Sequence, residues 1–347
     1  MNLMNFRTMN KKLLAMMCFA FMIFILSSCA KENEELVELP QIQKEDPYYI
    51  SFAETGELVM PDVDLSKFSA RSVRVKGDTI FIANNHADDR SILIINLKEN
   101  KLIGKISRWT RGGVDEKFDA EIGDMAVSDH YIFVGMHNSR INIFERRSMR
   151  FVNVIGRSDG GWGSGIYDLV HCFGLREYAD RLVVRDKETI RVYWLYEALT
   201  EPAFRVPWLG KINVPEGLGY DYQPTQHGFA EYKGKVYLDD WYQRAVQVVD
   251  PSKMEIKFAE ESPIDRDTVF NYPDIRPSGL AASGGSLFMS LHRSGVVNRY
   301  DIKTGTFIEK VADFTGREVG RMELANDLLY FIDNKTAKIF IAKGVKR

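Results

Sequence analysis

The chain is poor in cysteine and proline and has no excess of basic charge. Its 347 residues include three cysteines and 11 prolines, and 46 Lys plus Arg stand against 48 Asp plus Glu. A protein that follows a phosphate backbone normally carries a clear basic excess, so nucleic acid is not expected as a partner. The composition, 45% apolar and 27% charged, also excludes a disordered chain and a polytopic membrane protein. We therefore expect a folded protein with a sizeable core.

The N-terminal segment contains no acidic residue and is typical of a targeting signal. Its apolar run, residues 13–26, follows three basic residues and is too short for an ordinary membrane-spanning helix of roughly 20 residues. The run ends in LSSC at residues 26–29, which resembles the lipobox of bacterial lipoproteins. The resemblance implies that residues 1–28 are removed and that Cys29 carries the lipid, for example palmitate. The alternative is a plain secretory signal followed by an incidental cysteine.

A polar and acidic stretch, residues 30–46, follows the cysteine and indicates a flexible tether. Ala30 stands where an aspartate would favour retention in the inner membrane, and residues 31–35 resemble the surface-export signal of some Gram-negative lipoproteins. We expect an outer-membrane lipoprotein of a Gram-negative bacterium, either periplasmic or surface-exposed. Cys18 lies in the leader, which leaves Cys172 as the only thiol and excludes a disulfide within the mature chain.

From residue 47 onward, short apolar runs alternate with turn residues, and no long stretch has a period of 3.6. The same order of segments recurs six times, beginning with a short strand, a tight turn and a second strand. The tight turns lie at Gly77-Asp78, Ser128-Asp129, Ala179-Asp180, Lys233-Gly234, Gly284-Gly285 and Asn326-Asp327. Their spacings of 51, 51, 54, 51 and 42 residues suit four-stranded propeller blades, whose period is roughly 40–50 residues. The sequence predicts an all-β fold, a six-bladed β-propeller over residues 47–347.

The last repeat lacks a fourth strand, because the sequence stops soon after its third. Residues 48–52 or 58–63, ahead of the first repeat, could supply the missing strand. Closure of the ring by an N-terminal strand would leave no free sheet edge. The fourth strands of the third and fourth repeats are predicted at residues 203–206 and 256–259.

These repeats resemble six-bladed propellers of the NHL and TolB-like type, particularly the propeller lipoproteins of Gram-negative envelopes. The best local match is PSGLAASGGSLFMSLHRSGVVNRYD at residues 277–301, and the resemblance covers about residues 48–347. No recurrent Trp-Asp pair of a WD40 ring is present. The resemblance implies an architecture and assigns no catalytic residue.

Five of the six histidines map to one face of the predicted propeller. Loops between second and third strands, and connections from a fourth strand to the next blade, emerge on the same face around the central channel. These histidines are His86, His137, His171, His227 and His292. They could form a metal site or a proton-transfer site, or they could be ordinary loop side chains. No HxH or HExxH spacing favours a metal, and we assign no metal ligand and no cofactor.

Tryptophans follow a similar pattern, since four of the five map to loops on that face. An indole in such a position offers flat apolar area with one hydrogen-bond donor, which suits sugar rings or a partner's side chains. The alternative is that long loops fold down and bury these rings. The candidate ligand-binding residues, besides the histidines, are Trp109, Trp162, Trp208, Trp241, Arg111, Tyr222, Gln226, Asp239 and Arg293.

We therefore expect a non-enzymatic, envelope-anchored lipoprotein that binds a ligand or a protein partner through this loop-bearing face. It would contact the membrane through its lipid anchor, and the partner could be a glycan, a peptide or an envelope protein. Two alternatives stay open. One is a metal-dependent lyase or hydrolase working at the channel mouth, and the other is a scaffold subunit of an envelope assembly.

Overall fold

Short antiparallel strands, joined by turns and loops, build the fold. A computed structural model describes residues 49–157, 167–169, 171–178, 180–186, 189–213, 228–240, 244–250, 268–271 and 276–346. In this part of the chain, the strands form six four-stranded antiparallel sheets and one two-stranded hairpin. No helix among these residues is long and apolar enough to cross a membrane.

Each four-stranded sheet is one blade of a propeller. The N-terminal strand is β1 (Tyr49–Glu57). Blade one contains β2 (Ala70–Lys76), β3 (Thr79–Asn84), β4 (Ser91–Asn96) and β5 (Lys101–Ile106). A hairpin of β6 (Arg108–Arg111) and β7 (Val114–Lys117) follows. Blade two contains β8 (Ile122–Val127), β9 (Tyr131–Met136), β10 (Arg140–Glu145) and β11 (Phe151–Gly156).

The remaining blades have the same order of strands. Blade three contains β12 (Cys172–Tyr178), β13 (Arg181–Asp186), β14 (Thr189–Trp194), the short helix α1 (Leu195–Thr200) and β15 (Gly210–Asn213). Blade four contains β16 (Phe229–Tyr232), β17 (Lys235–Asp240), β18 (Ala245–Val249) and β19 (Thr268–Asn271). Blade five contains β20 (Pro277–Ser283), β21 (Ser286–Leu291), β22 (Val296–Asp301) and β23 (Phe307–Asp313). Blade six contains β24 (Val319–Ala325), β25 (Leu328–Asp333), β26 (Lys338–Lys346) and β1.

The first strands of the blades are innermost and contact one another in ring order. Contacts run from β2 through β8, β12, β16, β20 and β24 and return to β2. On β3, successive side chains point to opposite neighbours: Ile80 and Ile82 pack toward blade six, whereas Phe81 and Ala83 pack toward blade two. A hydrophobic cluster fills each of the six interfaces between adjacent blades. The predicted six-bladed β-propeller is confirmed.

The N-terminal strand closes the ring, as predicted. It pairs antiparallel with β26 and is the outer, fourth strand of blade six. Phe52 lies opposite Gly344, and a Cβ at position 344 would come within 2.4 Å of the ring of Tyr49. Tyr49 also donates a hydrogen bond to Asp327 Oδ1 at 2.8 Å. Of the two stretches proposed for closure, the first supplies the strand, and residues 58–63 form none.

Two fourth strands lie elsewhere than predicted. Residues 203–206 form a turn and irregular backbone, and the fourth strand of blade three is β15, further along the chain. The intervening α1 has the sequence LYEALT, and its Leu, Glu and Ala favour a helix. In blade four, β19 pairs with β18, while the predicted strand at residues 256–259 lies outside the described residues.

Candidate functional site

The blade topology sorts the connections onto two faces. Each blade is antiparallel, so the loops between second and third strands lie at the same end as the connections into the next blade. We call this end the loop face, and the opposite end, with the tight turns between first and second strands, the turn face. His86, His137 and His292 lie in second-to-third loops, and His171 precedes β12, so all four lie on the loop face. His227 lies outside the described residues.

A buried carboxylate joins several blades at the central channel. Asp124, on β8, accepts hydrogen bonds from Arg74 Nη2 at 2.7 and 2.8 Å and from Ser72 Oγ at 2.5 Å. The backbone N–H of Leu175 donates a further bond at 2.9 Å, and Arg321 Nη1 lies 2.6 Å from Oδ1. Burial alone would raise the pKa of Asp124, but the surrounding guanidinium groups lower it to about 2. The carboxylate is therefore ionised and tied to blades one, three and six.

Arg176 and Glu323 extend this cluster toward the turn face. Arg176 Nη1 lies 3.8 Å from Asp124 Oδ2. Glu323 Oε2 lies 3.7 Å from a guanidinium nitrogen of Arg74 and 3.7 Å from one of Arg176. Burial, and then the charge of Arg74, lower the pKa of Arg176 to about 10. The void among Arg74, Asp124, Arg176 and Arg321 measures about 10 Å³, so these charged side chains leave room for no more than about one water molecule at this depth of the channel.

On the loop face, the structure brings together two of the predicted histidines and an aromatic ring. The ring centroids of His137 and His171 are 5.8 Å apart. The ring of Phe173 lies 5.3 Å from His137 and 5.6 Å from His171. His171 Nδ1 is 2.5 Å from the backbone oxygen of His137, a contact that joins the two loops. We call these three residues the loop-face cluster.

The imidazole of His137 is held in its neutral form. Burial lowers the pKa of His137 to about 3, and the charges of Arg71, His171 and Arg321 add to this effect. Glu121 Oε2 lies 3.3 Å from His137 Nδ1 and opposes the shift, but the Glu121 side chain is 46% exposed, so water screens it. At neutral pH His137 can therefore donate or accept a hydrogen bond without carrying charge.

The described histidines do not converge on a metal site. Among the described residues, no group of three or more His, Cys, Asp or Glu side chains is placed to hold a metal ion. His86 Nδ1 instead accepts the backbone N–H of Asp88 at 3.3 Å. Burial lowers the pKa of His292, as do the charges of Arg293 and Arg276. A metal site would have to include side chains beyond the described part of the chain.

Two of the predicted loop tryptophans are buried. Trp109 lies in strand β6 rather than in a loop, because residues 108–117 form a hairpin. Its ring packs 4.9 Å from that of Phe118, and Trp208 packs in the cluster between blades two and three. Each is only 9% exposed, so the alternative of buried rings describes both. Trp162 and Trp241 lie outside the described residues.

Two of the five predicted polar residues are engaged within the protein. Arg111 Nε donates to Glu116 Oε1 at 2.8 Å. Asp239 is buried, and its Oδ1 accepts a hydrogen bond from Arg185 Nη1 at 2.5 Å. Arg293 is exposed on the loop face. The other two predicted positions, which lie outside the described residues, are Tyr222 and Gln226.

Sequence reasoning missed the charged residues that line the channel. Arg74, Arg176 and Glu323 occupy the same position in their repeats, three residues before the tight turns that begin at 77, 179 and 326. The first strand of a propeller blade lines the channel, so a charged residue inside it indicates a channel site. That signal was present in the sequence, in strands identified only from their position before the recurring tight turns.

Comparisons with known proteins support the fold alone. No family model and no curated protein matches the chain. The chain is similar to the β-propeller domain of Cps50 (Swd1) from Myceliophteria thermophila, with 12% identity, a TM-score of 0.53, and coverage of 84% of this chain and 99% of that one. It is also similar to a chain in the crystal structure of a Mitotic Checkpoint Complex, with 11% identity, a TM-score of 0.52, and coverage of 82% and 76%. The NHL-like or TolB-like subtype stays a prediction.

Proposed function

We propose that the protein is a non-enzymatic cell-envelope lipoprotein that binds a ligand or a protein partner through its loop face. The supporting observation is the loop-face cluster, where His137, His171 and Phe173 meet beside the closed channel. Propellers carry recognition in loops that a rigid scaffold holds in place. The lipid anchor is inferred from the LSSC motif at residues 26–29.

The chemistry of the loop-face cluster favours contacts with uncharged groups. His137 and Phe173 are only 7% and 8% exposed and His171 is half-buried, so a sugar ring or a peptide segment would contact the accessible part of His171 next to these two rings. A protein partner is also compatible with this fold, since a similar propeller was solved within a Mitotic Checkpoint Complex. The proposed partner classes are therefore a glycan, a peptide and an envelope protein.

The test uses the full-length lipoprotein extracted in detergent. A glycan and peptide screen, together with mass spectrometry of co-purified proteins, would compare the wild type with His171→Ala and Phe173→Ala. His130→Ala, on the turn face, is the matched control. We expect the first two variants to lose the partner and His130→Ala to keep it. Retention by correctly melting His171→Ala and Phe173→Ala proteins would contradict a loop-face site.

The same preparation separates the alternatives. One equivalent of a transition metal in the wild type that is lost in His171→Ala would favour a metal-dependent lyase or hydrolase. Several proteins recovered in fixed stoichiometry would favour a scaffold subunit of an envelope assembly.

A further inference from the structure

The turn face has a pocket of its own at the other end of the closed channel. Its volume is about 240 Å³, and all six blades contribute to its wall. It has room for several water molecules, or for a ligand about the size of a dipeptide. The loop-face cluster plays no part in this wall.

The charged groups of this wall are two arginines and three glutamates. The pocket arginines are Arg74 and Arg176, and the pocket glutamates are Glu177, Glu231 and Glu323. Both arginines belong to the buried cluster around Asp124, so they mark the inner end of the pocket. Glu177 and Glu231 stand nearer the tight turns and mark its rim.

Positive charge is in excess at the inner end. The buried cluster contains three arginines, Arg74, Arg176 and Arg321, against the carboxylates of Asp124 and Glu323. The oxygens of Asp124 already accept four hydrogen bonds and a close contact from Arg321. An anionic group entering the pocket would supply the missing charge, and burial makes such compensation valuable.

Two of the three pocket glutamates are not neutralised by their neighbours. Glu323 forms ion pairs of 3.7 Å with both pocket arginines, so it belongs to the inner end. Within the described chain, neither Glu177 nor Glu231 forms an ion pair: Glu231 accepts only the backbone N–H of Gly234 at 3.2 Å, and nearby Lys76 is paired with Asp129 at 3.2 Å. Burial raises the pKa of Glu177. The charge of nearby Lys76 opposes this shift, whereas the charges of Asp129 and Glu231 add to it. A cationic group at the rim would be stabilised by these carboxylates.

We propose that the turn-face pocket binds a small amino-carboxylate zwitterion, a free amino acid or a short peptide. Its carboxylate would contact the pocket arginines at the inner end, and its ammonium group would lie near Glu177 and Glu231 at the rim. If the charged residues of the pocket wall served only to stabilise the fold, each charge would instead be paired within the protein. This site is independent of the proposed loop-face function.

The first test is calorimetric titration of the full-length lipoprotein in detergent. The probes are glycine, glycylglycine and triglycine, with two capped analogues: N-acetylglycylglycine lacks the ammonium group, and glycylglycinamide lacks the carboxylate. We expect zwitterions to bind, and each capped analogue to bind at least about tenfold more weakly, because it leaves buried charges unpaired. The preferred chain length distinguishes a free amino acid from a peptide.

The second test uses variants of the wall. Glu231→Gln and Glu177→Gln should each weaken glycylglycine binding by about tenfold and leave the acetylated analogue unchanged. Glu99→Gln is the matched control, since Glu99 is exposed in the turn between β4 and β5, on the same face and outside the pocket. His171→Ala should also bind normally, which separates this site from the loop face.

Three results would overturn the proposal. The first is no measurable binding of any zwitterion at millimolar concentration by wild-type protein with a normal melting transition. The second is equal binding of glycylglycine and its acetylated form, which would indicate a simple anion site. The third is an equal loss of binding in Glu99→Gln and Glu177→Gln.

Discussion

Arg74 and Asp124, 50 residues apart in sequence, meet at the channel, where one guanidinium nitrogen lies 2.7 and 2.8 Å from the two carboxylate oxygens. They belong to the innermost strands of adjacent blades, so this contact joins blades one and two. Arg321 reaches the same carboxylate from blade six. A buried ion pair need not add net stability, but removal of one partner leaves an uncompensated buried charge.

Asp124→Asn should therefore destabilise the propeller strongly. The substitution keeps the shape of the side chain but leaves three arginines facing a neutral amide, and we expect a loss of about 3–5 kcal/mol in the free energy of unfolding. Asp129→Asn is the control, because Asp129 is exposed and its ion pair with Lys76 lies in water. Urea unfolding of the two variants checks this. Equal stability of Asp124→Asn and wild type would show that the cluster around Asp124 does not stabilise the fold.

The fold could be predicted because inner and middle strands obey two simple rules. Residues such as Ile80 and Phe81 alternate between two blade interfaces, and tight turns such as Gly284-Gly285 recur at a near-constant spacing. Outer strands obey these rules poorly, because they contact solvent on one edge and need fewer apolar residues. The predicted position of the fourth strand of blade three was wrong, because an outer strand has a weak apolar pattern and the helix α1 precedes this one.

The candidate site was only partly predictable. Topology alone placed His137 and His171 on one face. Their ring centroids are 5.8 Å apart because the two residues lie on adjacent blades, and the spacing along the sequence does not give that distance. Trp109 was misread because the hairpin β6–β7 has no counterpart in the other repeats that the structure describes. The cluster around Asp124 draws on strands from four blades, a convergence that exists only once the ring is closed.

Closure by the N-terminal strand can be tested with a core side chain. Phe52 is 6% exposed and its ring lies 5.3 Å from that of Phe288, so Phe52→Ala should cost about 3–5 kcal/mol in the free energy of unfolding. Phe307→Ala is the matched control, because Phe307 lies on the outer strand β23 but is 54% exposed. Thermal and urea unfolding of Phe52→Ala and Phe307→Ala measure the two losses in stability. Similar small effects of both substitutions would mean that β1 contributes little to closure.

The proposed lipid anchor is testable at two cysteines of the N-terminal segment. Cys29→Ser should abolish incorporation of a labelled palmitate analogue. Cys18→Ser, a change within the proposed leader, should leave this incorporation intact. Labelling followed by mass determination of the N-terminal peptide checks this. An unlabelled wild type with a different N-terminus would favour a plain secretory signal.

His137 should make the protein less stable in mild acid. Its pKa is about 3 in the folded protein, while an unfolded histidine titrates near 6.5. As the pH falls below about 6.5, the unfolded chain takes up a proton that the folded chain refuses, so stability falls by up to about 1.4 kcal/mol per pH unit. Unfolding measured from pH 7 to pH 5, above most carboxyl titrations, should show a shallower slope in His137→Gln and the wild-type slope in His130→Gln, whose side chain is exposed. An unchanged slope in His137→Gln would mean that this imidazole takes up a proton as readily in the folded protein as in the unfolded chain, and that burial does not hold the loop-face cluster neutral in mild acid.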